Sequence, residues 1–166
     1  MGIHLRSFAV SWALLASGVG PILAQAPPSE RQRVSAVLDM LHRAASRADF
    51  DAYFALYARR AIFLGTDATE RWTRAEFMDY ARARFAGGGG WTYVPRERHV
   101  YVADGGRTAW FDERLENENL GETRGSGVLV KEDGQWKVAQ YNLSIPIPNA
   151  LAREVVARIR AAAGGG

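Results

Sequence analysis

The chain has 166 residues, enough for one domain with a substantial core, and no cysteine, which excludes disulfides, a lipoprotein anchor and thiolate chemistry. Its formal net charge is +3, and the basic residues, nearly all Arg, are interleaved with acids rather than clustered, so no nucleic-acid surface is expected.

Residues 1–26 read as a secretory signal peptide. Arg6 supplies a modest positive start, and the apolar run from Phe8 to Leu23 is interrupted by Gly18, Gly20 and Pro21. That run is shorter than the roughly 20 residues a spanning helix needs. Ala24-Gln25-Ala26 provides a small-residue cleavage site, with cleavage after Ala24 as the alternative. The expectation is a secreted or periplasmic protein without membrane attachment after cleavage. It would form one domain over residues 27–163, with a disordered tail at 164–166.

Helices come first. Ser29 with Gln32 makes a capping box, and Val34, Val37, Leu38, Leu41 and Ala45 follow at helical spacing. Asp49 caps a second short helix whose Phe50, Tyr53, Phe54 and Tyr57 form an aromatic stripe, read as core. Ala61 to Leu64 is a short strand ended by Gly65. Thr73 and Glu76 form another capping box, opening a helix with Phe77, Tyr80, Ala81 and Phe85 on one side, and the Gly87–Gly90 run ends it. Trp91 to Ala103 is a strand broken near Pro95, which suits an edge or a bulge. Arg107 to Glu118 is the next, and Glu122 begins a third. Asn149 is expected to cap a last helix with Val155, Val156 and Ile159 on its apolar side. Helices followed by an antiparallel meander give an α+β domain.

The last two strands meet at Glu132-Asp133-Gly134, a local hairpin signal. Strict alternation puts Trp136, Val138, Gln140, Asn142 and Ser144 on one face of the final strand. Lys131 and Lys137 prefer water, so that set, together with Arg124 and Ser126, is placed inward as a pocket-lining face. Ala139, Tyr141, Leu143 and Ile145 then face outward, too apolar to be left in water, and read as a homodimer interface.

The ending GQWKVAQYNLSIPIPN, with FLGTDATERW at 63–72 and TAWFDERL at 108–115, resembles SnoaL-like proteins of the nuclear transport factor 2-like superfamily over roughly residues 32–149. There a G-x-W-[KR]-[IV] strand ends in H-x-S before a proline; the position often held by that His is Asn142 here. The resemblance implies a strongly bent sheet wrapped around the N-terminal helices to form a cone with an internal pocket for a small molecule. It also implies that cyclase, isomerase, dehydratase or hydrolase chemistry is available to the scaffold, without choosing a reaction.

No metal-ligand spacing, nucleophile elbow or phosphate loop is present, and no metal or cofactor is expected; His4, His42 and His99 are isolated in the sequence. An acid/base set remains. With Trp110 pointing inward, Asp112 follows it, and a carboxylate beside an indole suits proton transfer. Glu113 then faces away, and a flipped face would exchange the two. Arg124 on the neighbouring strand would stabilise charge, or simply pair with Asp112. Ser126 and Asn142 would orient a ligand, and Glu70 and Trp72 would sit at the pocket mouth. Two readings follow: a ligand-binding module, and alternatively a general acid/base enzyme using Asp112 and Arg124.

Overall fold

In the computed structural model the chain is described over residues 26–164, so the leader expected at 1–26 lies, except for Ala26, outside the described residues. Helix α1 (Glu30–Ser46) begins where Ser29 and Gln32 cap each other reciprocally. Every apolar position expected on its inner face is buried, and His42 is buried with them. A short α2 (Phe50–Ala55), capped by Asp49, leads into β1 (Tyr57–Leu64), so Tyr57 closes the aromatic stripe from a strand rather than a helix. An unexpected short strand, β2 (Arg71–Thr73), runs directly into α3 (Arg74–Ala86), whose Thr73–Glu76 capping box is present.

Four long strands build the rest of the sheet: β3 (Val94–Val102), β4 (Thr108–Asn117), β5 (Gly121–Glu132) and β6 (Gln135–Ser144). The order is β2-β1-β6-β5-β4-β3. All pairs are antiparallel except β1 with β6, which is parallel. The bent, unclosed sheet wraps the helices, and the fold is the expected α+β cone. Pro95 lies on the edge strand at a register break, where a missing N–H costs least. Asp133 and Gly134 both take positive φ, 50° and 77°, which makes the β5–β6 loop the two-residue turn that suits the twist of a hairpin.

One irregularity reorganises the inner wall. In the β5–β6 ladder Val128 faces Gln140 while Leu129 faces Val138, so Ala139 is an extra residue, a β-bulge. Trp136 and Val138 point inward as expected, but beyond the bulge Tyr141 and Leu143 do so in place of Asn142 and Ser144. Alternation carried through a bulge inverts every side chain after it. Tyr141 and Leu143 are therefore core-side residues, and their placement in an outer interface is corrected.

Helix α4 (Ala152–Ala163) starts two residues later than an Asn149 cap would place it, and Leu151 holds the cap position without a side-chain hydrogen bond. None of its residues is buried. No helix among the described residues is long and apolar enough to cross a membrane.

Candidate functional site

Three helices and the inner wall of the sheet enclose a cavity of about 130 Å³. The size is close to the roughly 150 Å³ that holds a benzene molecule. α1 contributes Leu41 and His42, α2 contributes Tyr53, and β6 contributes Tyr141 and Leu143. The opposite side is formed by Phe63 at the end of β1, Trp72 of β2, and Phe77 and Tyr80 of α3. Phe63 stacks on Phe77 with ring centroids 4.0 Å apart, and Trp72 on Tyr80 at 4.6 Å. Ala45, Gly65, Thr66, Glu70, Trp91 and Tyr93 complete the lining.

Glu70 reaches this position because residue 65 is glycine: a Cβ there would lie 2.1 Å from the Glu70 carboxylate. The same carboxylate accepts from the Asp67 amide at 3.2 Å, and Asp67 in turn accepts from the Thr69 amide and hydroxyl, which hold its carboxyl below the usual range. Glu70 and Trp72 thus stand where the sequence placed them, at the pocket.

The remaining expected site residues do not. Asp112, Arg124, Ser126 and Asn142 lie on the sheet face turned away from the cavity, with Trp110 beside them, 47% exposed and stacked on Tyr101. Two local facts account for this. Phe111, Glu113 and Leu115 are the buried alternate set of β4, so Trp110 faces out and takes Asp112 with it. The Ala139 bulge does the same for Asn142. Arg124 stands opposite Arg114, and Asp112 opposite Ser126, so the expected Asp112–Arg124 pair does not form.

Glu113 takes the inward role. It is 1% exposed and fully engaged. Its Oε1 lies 2.8 Å from His42 Nε2 and accepts from the Tyr141 hydroxyl at 3.0 Å. Its Oε2 accepts from Arg98 Nε at 2.7 Å. Arg98 is itself fixed to α1, donating to the Ser35 carbonyl at 3.0 Å and to Asp39 at 2.7 Å. Gly125 makes the cluster possible, since a Cβ there would lie 2.4 Å from the Tyr141 hydroxyl.

Burial alone would raise the Glu113 pKa, but the hydrogen bond to His42 and the charge and hydrogen bond of the Arg98 guanidinium outweigh it, and the carboxyl lies below its ordinary value. Burial, then the neighbouring Glu113 charge, push the Tyr141 phenol well above its ordinary value. An ionised carboxylate only accepts, so His42 Nε2 carries the proton in that bond. Nδ1 has no hydrogen-bond partner among the described residues, in a ring whose orientation Glu113 fixes.

The sequence reading passed over His42 and kept Glu113 only as the alternative to Asp112 on a flipped face. His42 follows Leu38 by four residues and precedes Ala45 by three, so the same periodicity that buries those two buries it. Glu113 alternates with Phe111 and Leu115, a signal as strong as the Trp110 signal that was followed instead.

Comparison with known proteins agrees with the fold. The family model of the SnoaL-like domain matches residues 34–148. No curated protein shows a significant sequence match. Among solved structures, a Streptomyces avermitilis protein provisionally described as a dehydratase of the nuclear transport factor 2-like family superposes with a TM-score of 0.62 at 15% identity, covering 72% of this chain and 97% of its own. A nuclear transport factor 2-like protein from Cytophaga hutchinsonii gives 0.60 at 17% identity, covering 72% and 100%. Another, from Pseudomonas putida and of unknown function, gives 0.59 at 15%, covering 72% and 88%. At these identities the likeness concerns the fold.

Proposed function

The chain belongs to the SnoaL-like domain family, and from that premise we propose that it binds a small molecule in the cone and performs general acid/base chemistry on it, with His42 as the proton carrier. One observation carries the reading: a cavity-lining histidine is held at 2.8 Å by a buried carboxylate. A base oriented by a third group that stays ionised is the arrangement proton transfer needs. Glu113 fixes the ring and stabilises the imidazolium formed when Nδ1 takes a proton. Arg98 keeps Glu113 ionised and is a positioning residue. Tyr141 donates to Glu113, which leaves its oxygen lone pairs as a further acceptor at the cavity wall. The roles first assigned to Asp112 and Arg124 pass to this set.

The test uses a generic carbon acid small enough for the cavity, cyclopentanone, and follows deuterium exchange of its α-protons by NMR. A positioned base contributes about 10²-fold or more to such a step. The protein should accelerate exchange, His42→Gln should remove the acceleration, and Glu113→Gln should reduce it with circular dichroism unchanged. Equal rates for His42→Gln and the parent would refute the assignment.

Export, read from the leader, belongs to the same proposal, as does a homodimer through the outer sheet face. Support for the dimer comes from Tyr101 and Trp110, which stack there at 5.6 Å while 42% and 47% exposed. Arg114 lies 3.8 Å from both Glu97 and Glu122 beside them, a mixed charge set that a two-fold contact matches against itself.

A further inference from the structure

We infer that the cavity selects a small organic ammonium ion, its cation seated at the mouth between Glu70 and the aromatic rings of Trp72, Tyr80 and Tyr93. The inference rests on reading the cavity as a ligand site and adds the charge of what enters it.

Three observations point the same way. The lining contains no Lys or Arg, so a carboxylate or phosphate ligand would meet no permanent positive charge among the lining residues. It does contain a carboxylate, that of Glu70, whose side chain accepts only the Asp67 amide and forms no ion pair among the described residues. Around it the walls are aromatic, and the negative faces of such rings attract cations. The rings at this mouth already hold one: the Arg84 guanidinium, outside the lining, lies 5.8 Å from the Trp91 ring centroid. A neutral ligand would use the rings and leave Glu70 without a partner; an anion would be repelled by Glu70. An alkylammonium uses both. The cavity of about 130 Å³ limits it to roughly the six or so non-hydrogen atoms of a benzene-sized guest.

Three probes of similar shape separate the possibilities: tetramethylammonium chloride, tert-butanol and sodium trimethylacetate, titrated into ¹⁵N-labelled protein at constant ionic strength. The indole N–H signals of Trp72 and Trp91 report the cavity. Those of Trp110, on the outer face, and Trp136, whose Nε1 donates to Glu30 at 2.7 Å, serve as internal controls. Tetramethylammonium should shift Trp72 and Trp91 saturably, leave the controls still, and bind at least tenfold more tightly than tert-butanol. Glu70→Gln keeps an oxygen for the Asp67 amide while removing the charge, and should weaken the ammonium at least fivefold with tert-butanol unaffected. Equal affinity for tert-butanol, or no change in Glu70→Gln, overturns the charge assignment while leaving the cavity a ligand site. Failure of all three probes to move Trp72 or Trp91 overturns the inference altogether. The role of His42 is read separately, from α-proton exchange.

Discussion

Replacing Glu113 with Gln changes one atom's charge and almost no volume, and the structure says what that removes. Oε1 accepts from two donors and Oε2 from a third, the guanidinium of Arg98, whose side chain is 11% exposed. An amide has one acceptor oxygen, so in either orientation its NH₂ meets a donor it cannot satisfy. Removing one partner of a buried pair costs about 3–5 kcal/mol. Arg98 keeps Asp39 and the Ser35 carbonyl, which puts the expected loss at the lower end, about 3 kcal/mol at neutral pH. For a domain of this size that is roughly 9 °C in Tm.

The pH dependence identifies the origin of this loss. The folded pKa of Glu113 is depressed from the ordinary 4.5, so its contribution is present above that value and disappears as pH falls through the lower folded value. The variant has no such group. Urea unfolding of both proteins at neutral pH, and then stepwise into the acid range, should show the gap between them closing. Other carboxylates titrate equally in both and cancel. A gap that stays constant with pH would refute the charge argument, and a gap below about 1 kcal/mol at neutral pH would refute the buried cluster itself.

Gly125→Ala should force the Tyr141 hydroxyl off Glu113, since the added methyl would lie 2.4 Å from it; a loss of about 1–3 kcal/mol in urea unfolding is expected, with an altered near-ultraviolet tyrosine signal. Thr73→Ala removes the cap of α3 next to Trp72 and should cost about 1 kcal/mol by the same assay. Gly134→Ala places a Cβ on a residue at φ 77° and should cost about 1 kcal/mol without disturbing the cavity, as read from the Trp72 indole signal. Trp110→Glu should convert a dimer to monomer in sedimentation velocity while leaving α-proton exchange per chain intact; an unchanged sedimentation coefficient would move the interface elsewhere.

The helices were legible because capping residues and apolar spacing act locally: Ser29 with Gln32 and Thr73 with Glu76 declare their helix starts within four residues. Pro95 was legible for the same reason. The parallel β1–β6 pairing arises from long-range docking, which no local pattern records, and β2, paired locally with β1, spans only Arg71–Thr73, too short a run for alternation to declare. The candidate site was only half legible. Glu70 and Trp72 follow a strand-ending glycine and were placed by proximity in sequence. Asp112 and Asn142 were placed by carrying alternation along whole strands, and each strand held something that alternation cannot see: an aromatic residue, Trp110, on the solvent side of β4, and an extra residue, Ala139, in β6. Glu113 stood only as the alternative to Asp112 because a buried carboxylate is intelligible only with its partners, and those come from α1, β3 and β6.

The Ala139 bulge has a consequence for how this protein can change. Along β4, β5 and β6, cavity wall and outer surface are written on alternating residues of the same strands, as Glu113 and Asp112 or Tyr141 and Asn142 illustrate. Point substitutions can therefore alter either surface while leaving the other's chemistry alone. Deletion of Ala139 would take out the extra residue and leave Tyr141 two positions after Val138, so that unbroken alternation would keep Tyr141 and Leu143 toward the helices; it is the bulge that lets two residues three apart share the inner face. The bulge acts as a reading frame for the wall of the cone.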